Sequence, residues 1–149
     1  SEDAIMPVIS RYQPVTDEYT IYRVSSDMES SITTLCEFGG WVYLSIPDGV
    51  SPVIPAQITT YGPVELTDEL REQIKVASPH TQLIAQRVID KIRAKYTLDD
   101  ELYFARIAVG ALQGSYELQS GEAAAIEQYQ IDVESAREWG RQERAKLGL

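Results

Sequence analysis

Residues 57–80 read QITTYGPVELTDELREQIKVASPH, and the character of the chain changes within them. Gln57–Tyr61 is rich in β-branched and aromatic residues and reads as a short strand between prolines. Beyond Pro63 the pattern turns helical. Asp68 and Glu69 suit the positive end of a helix dipole, so a helix is expected from Thr67 to Ala77. Ser78-Pro79 then marks the start of a second helix, with serine as the N-cap and proline at the first helical position. The chain thus divides into a β-rich module over residues 1–63 and a helical module over residues 64–149. The expected architecture is α+β: a small antiparallel N-terminal sheet with a C-terminal bundle of three to four helices.

Toward the start of the chain, the stretch up to Pro14 has two prolines and no clear period, and it reads as an arm or edge segment. Tyr19–Val24 alternates and reads as a strand; Ser25–Ser31 reads as a polar turn. Ile32–Phe38 and Trp41–Ile46 flank Gly39-Gly40, a hairpin signal because tight primed turns need positive φ. In an unbroken register Phe38 faces Trp41, Cys36 faces Tyr43 and Leu35 faces Leu44. Alternation then puts Cys36, Phe38, Trp41 and Tyr43 on one face. Leu35, Val42, Leu44 and Ile46 fall on the other, with Glu37. Both faces are apolar, so both need a cover: the helices, another subunit or a partner.

Further along the chain, the second helix carries Leu83, Ile84, Val88, Ile89 and Ile92 toward Tyr96. A third starts at Thr97, with Asp100 placed to complete a capping box. Leu98, Leu102, Ala105, Val109 and Leu112 follow it, flanked by Tyr103, Phe104 and Ile107, which suggests a central helix ending at Gly114. A fourth is expected from near Ser120 to Lys146, with Ile126, Tyr129, Val133, Ala136 and Gly140 as its inner stripe. Its last turns, with Arg137, Arg141, Arg144 and Lys146, read as solvated and projecting.

Composition and motifs narrow the functions. The 149 residues are 44% hydrophobic and 24% charged, as in an ordinary globular protein. No apolar run approaches a membrane span, and Ser1-Glu2-Asp3 is acidic where a signal peptide would be basic. The single cysteine, Cys36, suits a reducing compartment. Residues 1–63 hold eight acids against two bases, and residues 64–149 fifteen against eleven, giving −6 and −4 of the net −10. That charge repels phosphate backbones, so direct nucleic-acid binding is not expected. It keeps the chain soluble; alternatively it makes the protein an acidic inhibitor mimicking nucleic acid against a host defence enzyme.

No catalytic, cofactor or metal site is expected. His80 is the only histidine and has no ligand cluster to join. Cys36 reads as a small core residue, and no third group would activate a Cys36–His80 pair. Asp99-Asp100-Glu101 is explained by the first turn of a helix, and Gly110-x-x-x-Gly114 carries little weight in a soluble helix. Glu134, Glu138 and Arg141 are spaced for surface ion pairs. The candidate protein-contact residues are Phe38, Trp41 and Tyr43 on the hairpin, then Trp139 and Arg141 on the last helix, whose Trp/Arg composition is typical of interface hot spots.

The segments PVELTDELREQIK (63–75) and YQIDVESAREWGRQERAKLGL (129–149), after a β-rich module and a proline-punctuated connector, resemble small proteins of the tail and tail-fibre regions of tailed bacteriophages. The likeness spans residues 43–149. It implies a non-enzymatic virion component or fibre-assembly factor, with a tail or fibre protein as partner and a homo-oligomer left open. It also implies a place in the host cytoplasm during assembly or in the virion.

Overall fold

The computed structural model describes residues 6–26 and 31–149. Ser1-Glu2-Asp3 and the middle of the Ser25–Ser31 turn lie outside them. The fold is α+β, with antiparallel sheets followed by four helices. The strands are β1 (Val8–Tyr12), β2 (Val15–Thr16), β3 (Ile21–Tyr22), β4 (Ser25–Ser26), β5 (Thr33–Phe38), β6 (Trp41–Ile46), β7 (Pro52–Val53) and β8 (Gly62–Pro63). The helices are α1 (Asp68–Ala77), α2 (Pro79–Arg93), α3 (Leu98–Gln113) and α4 (Glu122–Ala145). The main sheet runs β5-β6-β1-β8; β2 pairs with β3 and β4 with β7.

The chain forms two compact units. One comprises Ser1–Leu83 with Glu143–Leu149, the other Ile84–Gln142. The strand-to-helix change at Pro63 and the division between units therefore fall at different places. α1 belongs with the sheet because its apolar side, through Ile74 and Leu70, packs on the sheet.

The hairpin turns at Gly39-Gly40, both at positive φ, and Phe38 faces Trp41 as expected. The pairing of Leu35 with Leu44 does not occur. The register shifts between Thr34 and Cys36, and Thr34 faces Leu44 instead. Leu35 is the extra residue of a bulge, which turns its side chain to the same face as Cys36. There it is fully buried with Ile9, Tyr43 and Ile74.

Both faces of the hairpin are covered from within the chain. Leu66, Leu70, Leu147 and Leu149 pack over the Cys36–Tyr43 side. Tyr12, Val24 and Ile58 join Val42, Leu44 and Ile46 on the other.

Three more expectations change. β1 is no edge arm: it lies between β6 and β8, antiparallel to both, and Ile9 and Tyr12 are core residues. Gln57–Tyr61 forms no strand. The edge strand is Gly62–Pro63, where a proline without an N–H can sit, and Val64 extends the pairing by donating to the Ile9 carbonyl at 2.8 Å. The end of α4 does not project. Beyond it Leu147 and Leu149 pack into the sheet cluster, and Gly148 is buried against β1.

Helix starts follow local hydrogen bonding. The Thr67 hydroxyl caps α1 by accepting from Leu70 N–H. Thr97 and Asp100 form the reciprocal capping box of α3, and Gly114 ends it at φ 75°. The Ser78 carbonyl accepts the first bond of α2, from Gln82 N–H, but its buried hydroxyl has no hydrogen-bond partner among the described residues. The side-chain link at this corner is Thr81, whose hydroxyl donates to the carbonyls of Ser78 and Lys75.

Gly148 gives a sharp test of the docked segment. Its φ is +82°, and an added Cβ would lie 2.9 Å from the Pro7 carbonyl oxygen and 2.9 Å from an Ile9 methyl carbon. Gly148→Ala should cost about 1–2 kcal/mol from the left-handed backbone alone, with the clash in addition. Chemical denaturation monitored on the sheet unit measures it; an unchanged midpoint would show that the segment is not docked.

Candidate protein-contact surface

The five contact residues expected from sequence fall in two environments. Tyr43 is buried in the central strand, with the Phe38 ring stacked on it at 4.8 Å. Trp41 is partly buried, and the Arg11 guanidinium lies 3.9 Å from the centre of its ring. The hairpin aromatics are thus largely occupied inside the sheet unit. In the helical unit, Trp139 is half-buried beneath the Lys91 ammonium, 4.6 Å from its ring centre. Arg141 is exposed and held by Glu134 and by Glu138, the latter at 2.8 Å. The Glu134/Glu138/Arg141 ion pairs are those the spacing suggested.

The helical unit buries little. Its buried side chains are Ile84, Ile107 and Ala136, and Gly140 on α4 is buried too. Around them is an aromatic cluster: Tyr129 meets Phe104 at 5.1 Å and Tyr96 at 5.0 Å. Tyrosine–carboxylate hydrogen bonds bind the helices at the margin of this cluster. Tyr96 donates to Asp132 at 2.5 Å and Tyr129 to Glu101 at 2.6 Å. Glu101 also holds Arg93, while Tyr103 and Tyr116 both donate to Glu122. The glycines 110 and 114 act within one turn rather than between helices. Ser115 and Tyr116 N–H both donate to the Gly110 carbonyl, and Tyr116 packs so close that a Cβ on Gly110 would meet it at 2.8 Å.

α3 is not the enclosed helix its composition suggested. Phe104 and Ile107 point inward, but Leu98, Leu102, Val109 and Leu112 are 58%, 61%, 52% and 89% exposed. Ala105 between them is exposed too. The spacings of 4, 3, 4 and 3 place all five on one outward stripe. Beside it lies an open groove of about 740 Å³ lined by Leu102, Tyr103, Val109, Gly110 and Tyr116, among others. The stripe is legible in the sequence but its exposure is not, because periodicity shows that a face is apolar and not what lies against it.

Cys36 is buried, and loss of solvation pushes its thiol up to about 11, so it is held protonated. His80 is exposed on α2. Among the described residues, no cluster of three or more His, Cys, Asp or Glu side chains could hold a metal ion. No helix among them is long and apolar enough to cross a membrane. Comparison with family models, curated proteins and solved structures returns no match.

The tyrosine–carboxylate bonds should make stability depend on pH in both directions. Hydrogen bonds from Tyr129, Tyr103 and Tyr96 hold Glu101, Glu122 and Asp132 below their ordinary carboxylate values. Such groups add stability above those values and lose it as pH falls through the lower folded ones. Tyr96 is raised to about 12, chiefly by its bond to Asp132, and Tyr129 to about 12, first by burial and then by Glu101. Their contribution is complete below pH 10 and is lost as pH rises through 12. Thermal midpoints should therefore drop at both extremes, and Tyr96→Phe with Tyr129→Phe should flatten both limbs. An unaltered profile would contradict the assignment.

Proposed function

We propose that this chain is a non-enzymatic assembly protein that works through protein–protein contacts in the tail or tail-fibre region of a tailed bacteriophage. Its partner on this reading is a tail or fibre protein. The observation that carries the contact role is the quantity of large aliphatic side chain left outward on the helices, above all on α3. Monomeric proteins seldom leave a contiguous apolar surface of this kind without using it. The phage assignment rests on the likeness of residues 43–149 to small tail-region proteins. The buried, protonated Cys36 and the exposed, solitary His80 support a role without nucleophilic chemistry.

Binding to purified tail and fibre proteins over a salt series tests the reading. Contact through apolar surface should persist as salt rises, since screening weakens exposed charges and leaves apolar burial intact. A steep loss of binding with salt, and a basic nucleic-acid enzyme as the tightest partner, would favour charge mimicry instead. Cys36→Ala combined with His80→Ala should leave assembly activity within about twofold of the parent, since stability changes of the size expected for one small buried truncation leave most chains folded. Abolished activity in a folded double variant would overturn the non-enzymatic reading.

A further inference from the structure

We infer that the outward stripe of α3 pairs with the same stripe of a second copy, antiparallel, in one particular register. This rests on the reading of that stripe as a protein contact and assigns its occupant. Leu98, Ala105 and Leu112 hold one core position of a heptad repeat, Leu102 and Val109 the other. A stripe this narrow and this regular fits a helix lying along it. Asp99 and Arg106 each directly follow a stripe residue, so both flank the same edge, seven residues apart and opposite in charge. Both are exposed. Among the described residues neither forms an ion pair or a side-chain hydrogen bond, whereas Glu101, on the other edge, is already held by Arg93 and Tyr129.

Those two charges select the arrangement. An antiparallel pair keeps its core layers only in steps of one heptad, and like edges meet across the two-fold axis. In one register Leu98 meets Leu102 of the second copy and Asp99 falls beside Asp99. One heptad further, Leu98 meets Val109 and Leu102 meets Ala105, and Asp99 lies beside Arg106 of the second copy, twice over by symmetry. Another heptad on, Leu102 meets Leu112 and Arg106 falls beside Arg106. The middle register alone pairs opposite charges, and it has four apolar layers. Ala105 in two of them lets the helices approach closely, and the groove beside Leu102 and Val109 gives room for side chains of the second helix.

The test uses the whole chain and reads its oligomeric state by sedimentation across a concentration series. The parent should dimerise. Leu102→Glu should be monomeric with an unchanged helical circular dichroism signal, because Leu102 faces outward. Asp99→Arg alone and Arg106→Asp alone should each weaken self-association about tenfold, as two attractive pairs become repulsive. Mixed in equal amounts, the two single variants should form a heterodimer, in which both flanking pairs are again opposite in charge. A parent that stays monomeric overturns the proposal, even if it binds a tail protein through α3. So does a dimer that ignores both charge changes, as parallel pairing or another face would produce. Loss of tail-protein binding with dimerisation intact would count against the phage reading and leave this one standing.

Discussion

β6 is buried along nearly its whole length, and the rest of the sheet unit follows from that. Val42, Leu44 and Ile46 point to one side and Tyr43 to the other, so neither face of the strand can be left to water. The chain meets this demand with pieces far apart in sequence. β1 takes the free edge of β6; α1 and residues 147–149 cover one face. The segments between the short strands, with Val24, Ile58 and Tyr61, cover the other. The bulge at Leu35 serves the same end, because it turns a second large side chain of β5 toward α1 without ending the pairing.

The helical unit is built on a different balance. Its few buried aliphatic groups are supplemented by ring contacts among Tyr96, Phe104 and Tyr129 and by tyrosine hydroxyls bonded to carboxylates. Such bonds lie at the solvated margin of the cluster, so they fix helix positions more than they supply a core. Of the large aliphatic side chains of α3, Ile107 is buried, while Leu98, Leu102, Val109 and Leu112 are directed outward. The sheet unit satisfies its apolar faces internally; the helical unit leaves an apolar stripe of α3 exposed. The proposed assembly role and the proposed pairing through α3 both rest on that difference.

The parts legible in the sequence were those settled by local chemistry. Thr67 before two acids, the Thr97/Asp100 box and Gly114 marked helix ends because each satisfies backbone groups within a few residues. The glycine pair marked the hairpin for the same reason. What the sequence concealed depended on distant residues. Val8–Tyr12 has no period of its own because an interior strand is buried on both sides. Nothing local announces that Leu35 is bulged or that Gly148 lies against Ile9. The stripe on α3 was plain, yet its direction depended on which helices packed behind Phe104 and Ile107. The hairpin aromatics looked like a contact surface because their cover, Arg11 and the segments around α1, lies elsewhere in the chain.

On the proposed pairing, the sheet is complete within one chain while the helical unit is completed by a second. Amide hydrogen exchange, resolved by residue over a dilution series, addresses it directly. The amides of Trp41–Ile46 should stay slow at every concentration, because their burial is internal. Those of Leu98–Gln113 should lose protection as the chain is diluted, and more so than the amides of α1. Protection of α3 equal to that of β6 at the lowest concentration, with no dependence on dilution, would contradict the claim.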